Sequence, residues 1–263
     1  MDKISNEPVI QSIDGVIGTI VLNNPAKLNA MSLAMWAELG RAMVKFSDNA
    51  DLRCVVVRGA GDRAFSAGAD IAEFPEIRND AAQAREYGKV VADSLEAIRG
   101  CIHPTIAAIQ GACTGGGLEV ACGCDMRISN TSGRFGVPIN RLGHSFAYAE
   151  MATVLTAIDR TLVLEIIYEG RILDSDEALR RGLLNRVVAD LDFEDEIQAT
   201  TARIARGAPL THRATKKFLA RLAKPEPLTQ AEIDEGYALC DSDDYAEGVR
   251  AFLAKEKPTF EGK

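Results

Sequence analysis

No apolar run in this sequence approaches the roughly 20 residues that a membrane-crossing helix requires, so a helical membrane protein is not expected. A basic excess is lacking too. Thirty Lys and Arg against 38 Asp and Glu give a formal net charge of −8, the wrong sign for a general nucleic-acid surface. The six cysteines, at 54, 101, 113, 122, 124 and 240, include no paired Cys-x-x-Cys spacing. Cys122-Gly123-Cys124 is too close for an ordinary zinc knuckle, and no metal is expected. Scattered thiols without a disulfide framework suit a reducing compartment, and the expected location is cytoplasmic. Met1-Asp2-Lys3-Ile4-Ser5-Asn6-Glu7 lacks the basic-then-apolar pattern of a secretory signal. Nucleotide-binding glycine patterns are missing as well. No Lys follows Gly115-Gly116-Gly117, and Leu118, Glu119 and Val120 stand where a Gly-x-Gly-x-x-Gly run would place its last glycine.

What remains is a chain able to bury one sizeable core, with room for a smaller appended unit: 263 residues, 47% of them hydrophobic. Its most informative stretch is Gln110-Gly111-Ala112-Cys113-Thr114-Gly115-Gly116-Gly117-Leu118-Glu119, directly after the apolar run Thr105–Ile109. The pattern predicts a buried strand, a glycine turn and a helix. Three glycines let a ligand approach the main chain, and the helix aims unpaired amides and a positive dipole end at it. Glu119 lies within the first turn. Amides able to hold an oxyanion beside an acid or base suit chemistry at a carbonyl carbon. The alternative reading is structural: glycines for tight packing, and a glutamate that complements the helix dipole.

A second segment favours the chemical reading. Leu52–Gly59 predicts a buried strand, and Ala64-Phe65-Ser66-Ala67-Gly68-Ala69-Asp70-Ile71 a further strand ending in a small-residue loop. Two such loops supply two amides, as a thioester oxygen turning into an enolate requires. Elsewhere, strands are expected at 16–22 and 126–129, and helices from Ser32 to about Phe46 and near 80–99. From about Leu191 the pattern is helical, broken by Lys224-Pro225-Glu226-Pro227. This is an α/β core followed by a helical tail.

Four motifs in order carry a resemblance. Asn24-Pro25-Ala26-Lys27-Leu28-Asn29-Ala30-Met31, Ser66–Asp70, Gly115-Gly116-Gly117-x-Glu119 and the tail from Glu247 to Phe260 are together similar to the crotonase (enoyl-CoA hydratase/isomerase) family. The resemblance implies a spiral of β-β-α turns over residues 1–190, and a C-terminal helical domain, 191–263, that builds a trimer or a hexamer. It implies that the amides of Ala69 and Gly116 bind the thioester oxygen of an acyl-CoA and that Glu119 serves as acid or base. CoA would meet Lys27, Asn29, Ala67, Asp70 and Ile71. Lys255 and Phe260 would reach its nucleotide end, as would some of Lys216, Lys217, Arg221 and Lys257. No cofactor beyond that CoA is implied. Asp70 and Asp125 also have a structural reading: Asp70 as a cap, Asp125 as partner of an amide or of Arg127. His103 and His212 are not placed for chemistry.

One departure matters. Hydratases of the family use two glutamates, the second after a proline, whereas this chain reads Phe135-Gly136-Val137-Pro138-Ile139. Isoleucine can neither bind water nor carry a proton. His144, Tyr148 and Glu150 are the candidates to replace it, His144 first because its unperturbed pKa lies near neutrality. In the alternative reading Phe146 and Tyr148 are pocket or core aromatics and Glu150 is a solvated helix residue. One carboxylate with an oxyanion hole suits isomerisation, the oxyanion hole alone suits decarboxylation, and hydration would need a relocated acid. A non-catalytic CoA-binding scaffold is the competing class.

Overall fold

The computed structural model describes residues 7–263; most of the segment read above for a secretory signal, residues 1–6, lies outside the described residues. β1 (Val9–Asp14) and β2 (Ile17–Leu22) form an antiparallel hairpin, and α1 (Leu33–Ser47) follows, its first turn capped by the Ser32 side chain accepting the Met35 amide. Then come β3 (Cys54–Gly59), β4 (Ala64–Ser66), the short α2 (Phe74–Ile77) and α3 (Ala81–Gly100). β5 (Thr105–Ile109), β6 (Ala112–Thr114) and α4 (Gly116–Gly123) repeat that order. β7 (Met126–Asn130), β8 (Arg134–Gly136), α5 (Tyr148–Leu155) and α6 (Arg160–Tyr168) repeat it again. β9 (Leu173–Asp174), α7 (Ser175–Arg180) and β10 (Arg186–Val188) close the sheets.

The strands divide between a six-stranded sheet, β1-β2-β3-β5-β7-β10, and a four-stranded one, β4-β6-β8-β9. In the three turns from β3 to α6 the chain lays one strand in the first sheet, bends, lays one in the second, and returns through helix. This is the expected β-β-α spiral. The bends stack so closely that a Cβ on Gly111 (φ +63°) would stand 1.9 Å from the Arg63 carbonyl oxygen of the preceding turn. Only glycine fits there.

Residues 54–57 read as an unbroken apolar run because both faces of β3 are buried. Val55 and Val57 join the main core with Trp36, Phe46, Phe65, Leu95, Leu118 and Phe135. Cys54 and Val56 face outward into a second cluster with Ile106, Ile128 and Phe193. Phe193 belongs to α8 (Phe193–Ala205), so that helix covers the outer face of the large sheet. Three more helices end the chain, α9 (Pro209–Leu222), α10 (Gln230–Glu235) and α11 (Asp243–Ala254), with the Pro225/Pro227 break between the first two. Among the described residues no helix is long and apolar enough to cross a membrane.

Candidate active site

β4, β6 and β8 run parallel, with Ser66 beside Cys113 and Thr114 beside Gly136, so the segments that follow them emerge at one edge of the small sheet. Hydrogen bonds fix these loops to one another. The Thr114 hydroxyl donates to the Ala67 carbonyl at 3.0 Å, and the Gly115 amide donates to the Gly136 carbonyl at 2.9 Å. Met31 bridges to Ala69 by donating to the Gly68 carbonyl and accepting from the Asp70 amide. The Ala69 amide is therefore turned to the opposite side, where Gly116 opens α4. A Cβ on Gly116 would lie 3.7 Å from the Ala69 nitrogen. Among the described residues neither amide has a protein acceptor.

Both residues line a cavity of about 120 Å³, together with Trp36, Ile71, Phe74, Tyr87, Glu119, Ile139, Phe146 and Glu150. Glu119 is 5% exposed, and its Oε2 has no hydrogen-bond partner among the described residues. Burial pushes its carboxyl well above the usual carboxylate range; the nearby Glu150 adds to the shift and Arg78 opposes it. Glu150 itself is 6% exposed and accepts the Ala147 amide at 2.5 Å. The Arg78 guanidinium lies over two aromatic faces, 5.0 Å from the centroid of Phe74 and 5.1 Å from that of Tyr87.

The structure brings Ala69, Gly116 and Glu119 together, and Ile139 lines the same cavity. It corrects the segment that follows. Tyr148 is 96% exposed and is neither a pocket nor a core aromatic. Glu150 is not a solvated helix residue: it opens into the cavity from the first turn of α5, which packs on α4. His144 does line the cavity, but its Nδ1 lies 3.0 Å from the Ser145 carbonyl and 3.4 Å from an Arg78 nitrogen. Sequence reasoning missed Arg78 altogether; nothing in Ile77-Arg78-Asn79 announces that this turn closes over the site.

The CoA candidates separate into two places. Lys27 pairs with Asp70 at 2.6 Å, Asp70 caps the next turn through the Ala72 amide, and Ile71 stands half-exposed on the cavity wall. The Ala67 amide donates to Leu28. Asn29 is fully buried, accepting the Asn24 amide and donating to the carbonyls of Ala60 and Ala64, so its side chain shapes the Lys27 loop from within. Lys255 and Phe260 do not line this cavity. Phe260 lines another between α9 and α11, and its carbonyl accepts from Arg53. Lys216 is tied to Asp125 at 2.8 Å, Lys217 to Glu235 and Arg221 to Glu232. Asp125 thus meets Lys216 and the Thr105 amide rather than Arg127, which donates to the Leu183 and Cys124 carbonyls.

Comparison with known proteins agrees with this architecture. Residues 12–263 match the family model described as enoyl-CoA hydratase/isomerase. A crotonyl-CoA hydratase from Syntrophomonas wolfei is 29% identical over 98% of this chain and 99% of its own length. A probable enoyl-CoA hydratase from Mycobacterium bovis is 31% identical over 97% and 98%. The crystal structure of an enoyl-CoA hydratase/carnithine racemase from Magnetospirillum magneticum superposes with a TM-score of 0.96, at 46% identity, covering 98% of this chain and 97% of that one. With the glycine loops, the spiral and the match over nearly its whole length in hand, the chain belongs to the enoyl-CoA hydratase/isomerase, or crotonase, family.

Proposed function

We propose that this protein transfers a proton at the carbon beside the thioester carbonyl of an acyl-CoA, through an enolate held by the amides of Ala69 and Gly116, with Glu119 as the acid–base group. The observation that carries the reading is the unpartnered Glu119 oxygen, buried in the cavity where those two amides converge. Preorganised amides act on charge as it develops, in a site where water does not compete for it. A carboxyl with a raised pKa is suited to exchange a proton with carbon near neutrality.

The substrate's own CoA is the one non-protein group this reading requires. Lys27, half-exposed and paired with Asp70 next to the lining residues Ala69 and Ile71, is the cation assigned to its phosphates. Assembly as a trimer, single or doubled, through the C-terminal helices is part of the reading. Its support is the row of exposed apolar side chains there, including Leu219, Leu222, Phe252 and Leu253. A cytoplasmic location accords with six free cysteines. Ile139 at the cavity wall favours a second reading of the reaction, isomerisation or decarboxylation, which need one proton carrier or none.

The test is deuterium exchange at the α-carbon of acetyl-, butyryl- and decanoyl-CoA in heavy water. Exchange that Glu119→Gln abolishes is expected. CoA binding without exchange on any of the three would point to a scaffold.

A further inference from the structure

We propose that Glu150 is the second acid–base group of this site, taking over from the α5 helix the position that Ile139 leaves apolar, and that Glu119 and Glu150 together add water across an enoyl-CoA double bond. The inference deepens the reading above and rests on it.

Three observations support the assignment. Glu119 and Glu150 line one small cavity, on consecutive packed helices, α4 and α5. Glu150 is buried, and the hydrogen bond from the Ala147 amide holds its carboxylate in place. Of the other candidates in that segment, Tyr148 points into solvent, and His144 on the cavity wall turns its Nδ1 to the Ser145 carbonyl and Arg78. Arg78 lines the same cavity as these two carboxyl groups.

The reaction then balances. A water oxygen bonds to the β-carbon and gives its proton to the Glu150 carboxylate, while the electron pair of the double bond moves to the thioester oxygen as an enolate. Glu119, which burial holds protonated, passes its proton to the α-carbon as the enolate collapses. Transfer of the acquired proton from Glu150 to Glu119 restores the starting state. One water is consumed and no other reactant is needed.

The experiment compares hydration of crotonyl-CoA with α-proton exchange on butyryl-CoA, two acyl groups of equal length. Exchange needs the amides and the ionised form of Glu119, which takes the α-proton; hydration needs Glu119 with its proton and Glu150 to receive the one that water releases. Wild type is expected to do both, and Glu119→Gln to lose both. In Glu150→Gln the ratio of hydration to exchange should fall by about 100-fold or more. Glutamine keeps an oxygen for the Ala147 amide, so a purely capping role would leave that ratio within about threefold of wild type, which overturns the proposal. If the glutamine variant does not fold, Glu150→Asp, which withdraws the acid by one methylene, should lower the same ratio. Wild type that exchanges butyryl-CoA but does not hydrate crotonyl-CoA also overturns it, while leaving the reading of Glu119 intact. Wild type that does neither, on any of the acyl groups named above, removes both.

Discussion

The Trp36 indole packs so tightly against the start of α4 that a Cβ on Gly116 would stand 2.8 Å from its Cζ2 atom. The bulkiest side chain of the core thereby holds open the place where a backbone amide faces the cavity. Proline at the first position of a helix is compatible with helical geometry, but it carries no N–H. Gly116→Pro is expected to lower turnover by about 100-fold or more and, because its Cβ meets the buried Trp36 ring, to lower stability as well, as a steady-state assay and thermal unfolding would show together. Full turnover in the folded variant would place the oxyanion donor elsewhere. At Gly117 the obstacle is the Ser66 carbonyl oxygen, 2.4 Å from a Cβ, and a backbone atom cannot swing aside. Gly117→Ala should therefore cost stability, by about 1–3 kcal/mol in urea denaturation.

Glu119 makes stability depend on pH in a defined direction. Its folded pKa is raised from 4.5, so above that value the unfolded chain releases a proton that the native state retains. Native stability consequently falls as pH rises from the unfolded value toward the raised folded one. Glu119→Gln removes this slope. Denaturation at acid pH and near neutrality should find the variant gaining on wild type as pH increases, together with loss of activity.

His103 acts with the opposite sign. Burial and the neighbouring Arg213 lower its pKa from 6.5 to about 4. Between those values the unfolded chain takes up a proton and the native state does not, so stability is lost as pH falls through that window. His103→Gln should reduce the difference in unfolding free energy across it by roughly 1–3 kcal/mol, with catalysis at neutral pH unaltered. An unchanged acid limb would show that the imidazole is not a source of acid lability.

Lys27 and Lys216 should separate ligand binding from architecture. Lys27→Ala is expected to raise the KM for acyl-CoA several-fold, by about 3- to 10-fold, with kcat preserved, the mark of binding equal in ground and transition states. Lys216→Met should leave KM alone and lower the melting temperature, because it breaks the Asp125 pair that ties α9 to β5, at a cost of about 1 kcal/mol. A KM effect at Lys216 would return it to the CoA site.

Much of this molecule is legible in its residues because the relevant physics is local. β5 matches the apolar run at 105–109, α3 differs by one residue at each end from the expected 80–99, and Ser32 caps α1 as expected. Glycine-rich turns and a first-turn carboxylate mark the two loops and Glu119 within a few residues, whereas Ala69 and Gly116 are named as the amide donors through the family resemblance. The hairpin strand β1 escaped notice: half of its residues are exposed and it has no apolar run. The spiral is invisible as a repeat because each turn needs only buried side chains and a tight bend, which many different residues satisfy. Arg78 was illegible, and Glu150 legible only as one candidate of three, for a deeper reason. Their meaning depends on where α5 and the turn before α3 come to rest, a matter of long-range packing. That Lys216 and Lys217 of α9 pair with Asp125 and Glu235 was equally out of reach of a local reading.

The shared edge of β4, β6 and β8 also gives the three loops unequal freedom to change. The first two are held by main-chain demands: Gly68 has a φ of +102°, and Gly116 and Gly117 have no space for a side chain. The third, running from Val137 into α5, contributes side chains, and Gly143 within it has open space around its Cβ position. On the proposed function, substitutions there would re-route protons without disturbing the amides of Ala69 and Gly116. A lineage built on this scaffold can thus exchange one reaction for another by altering a single stretch of some fourteen residues, 137–150, while the expensive geometry is inherited intact.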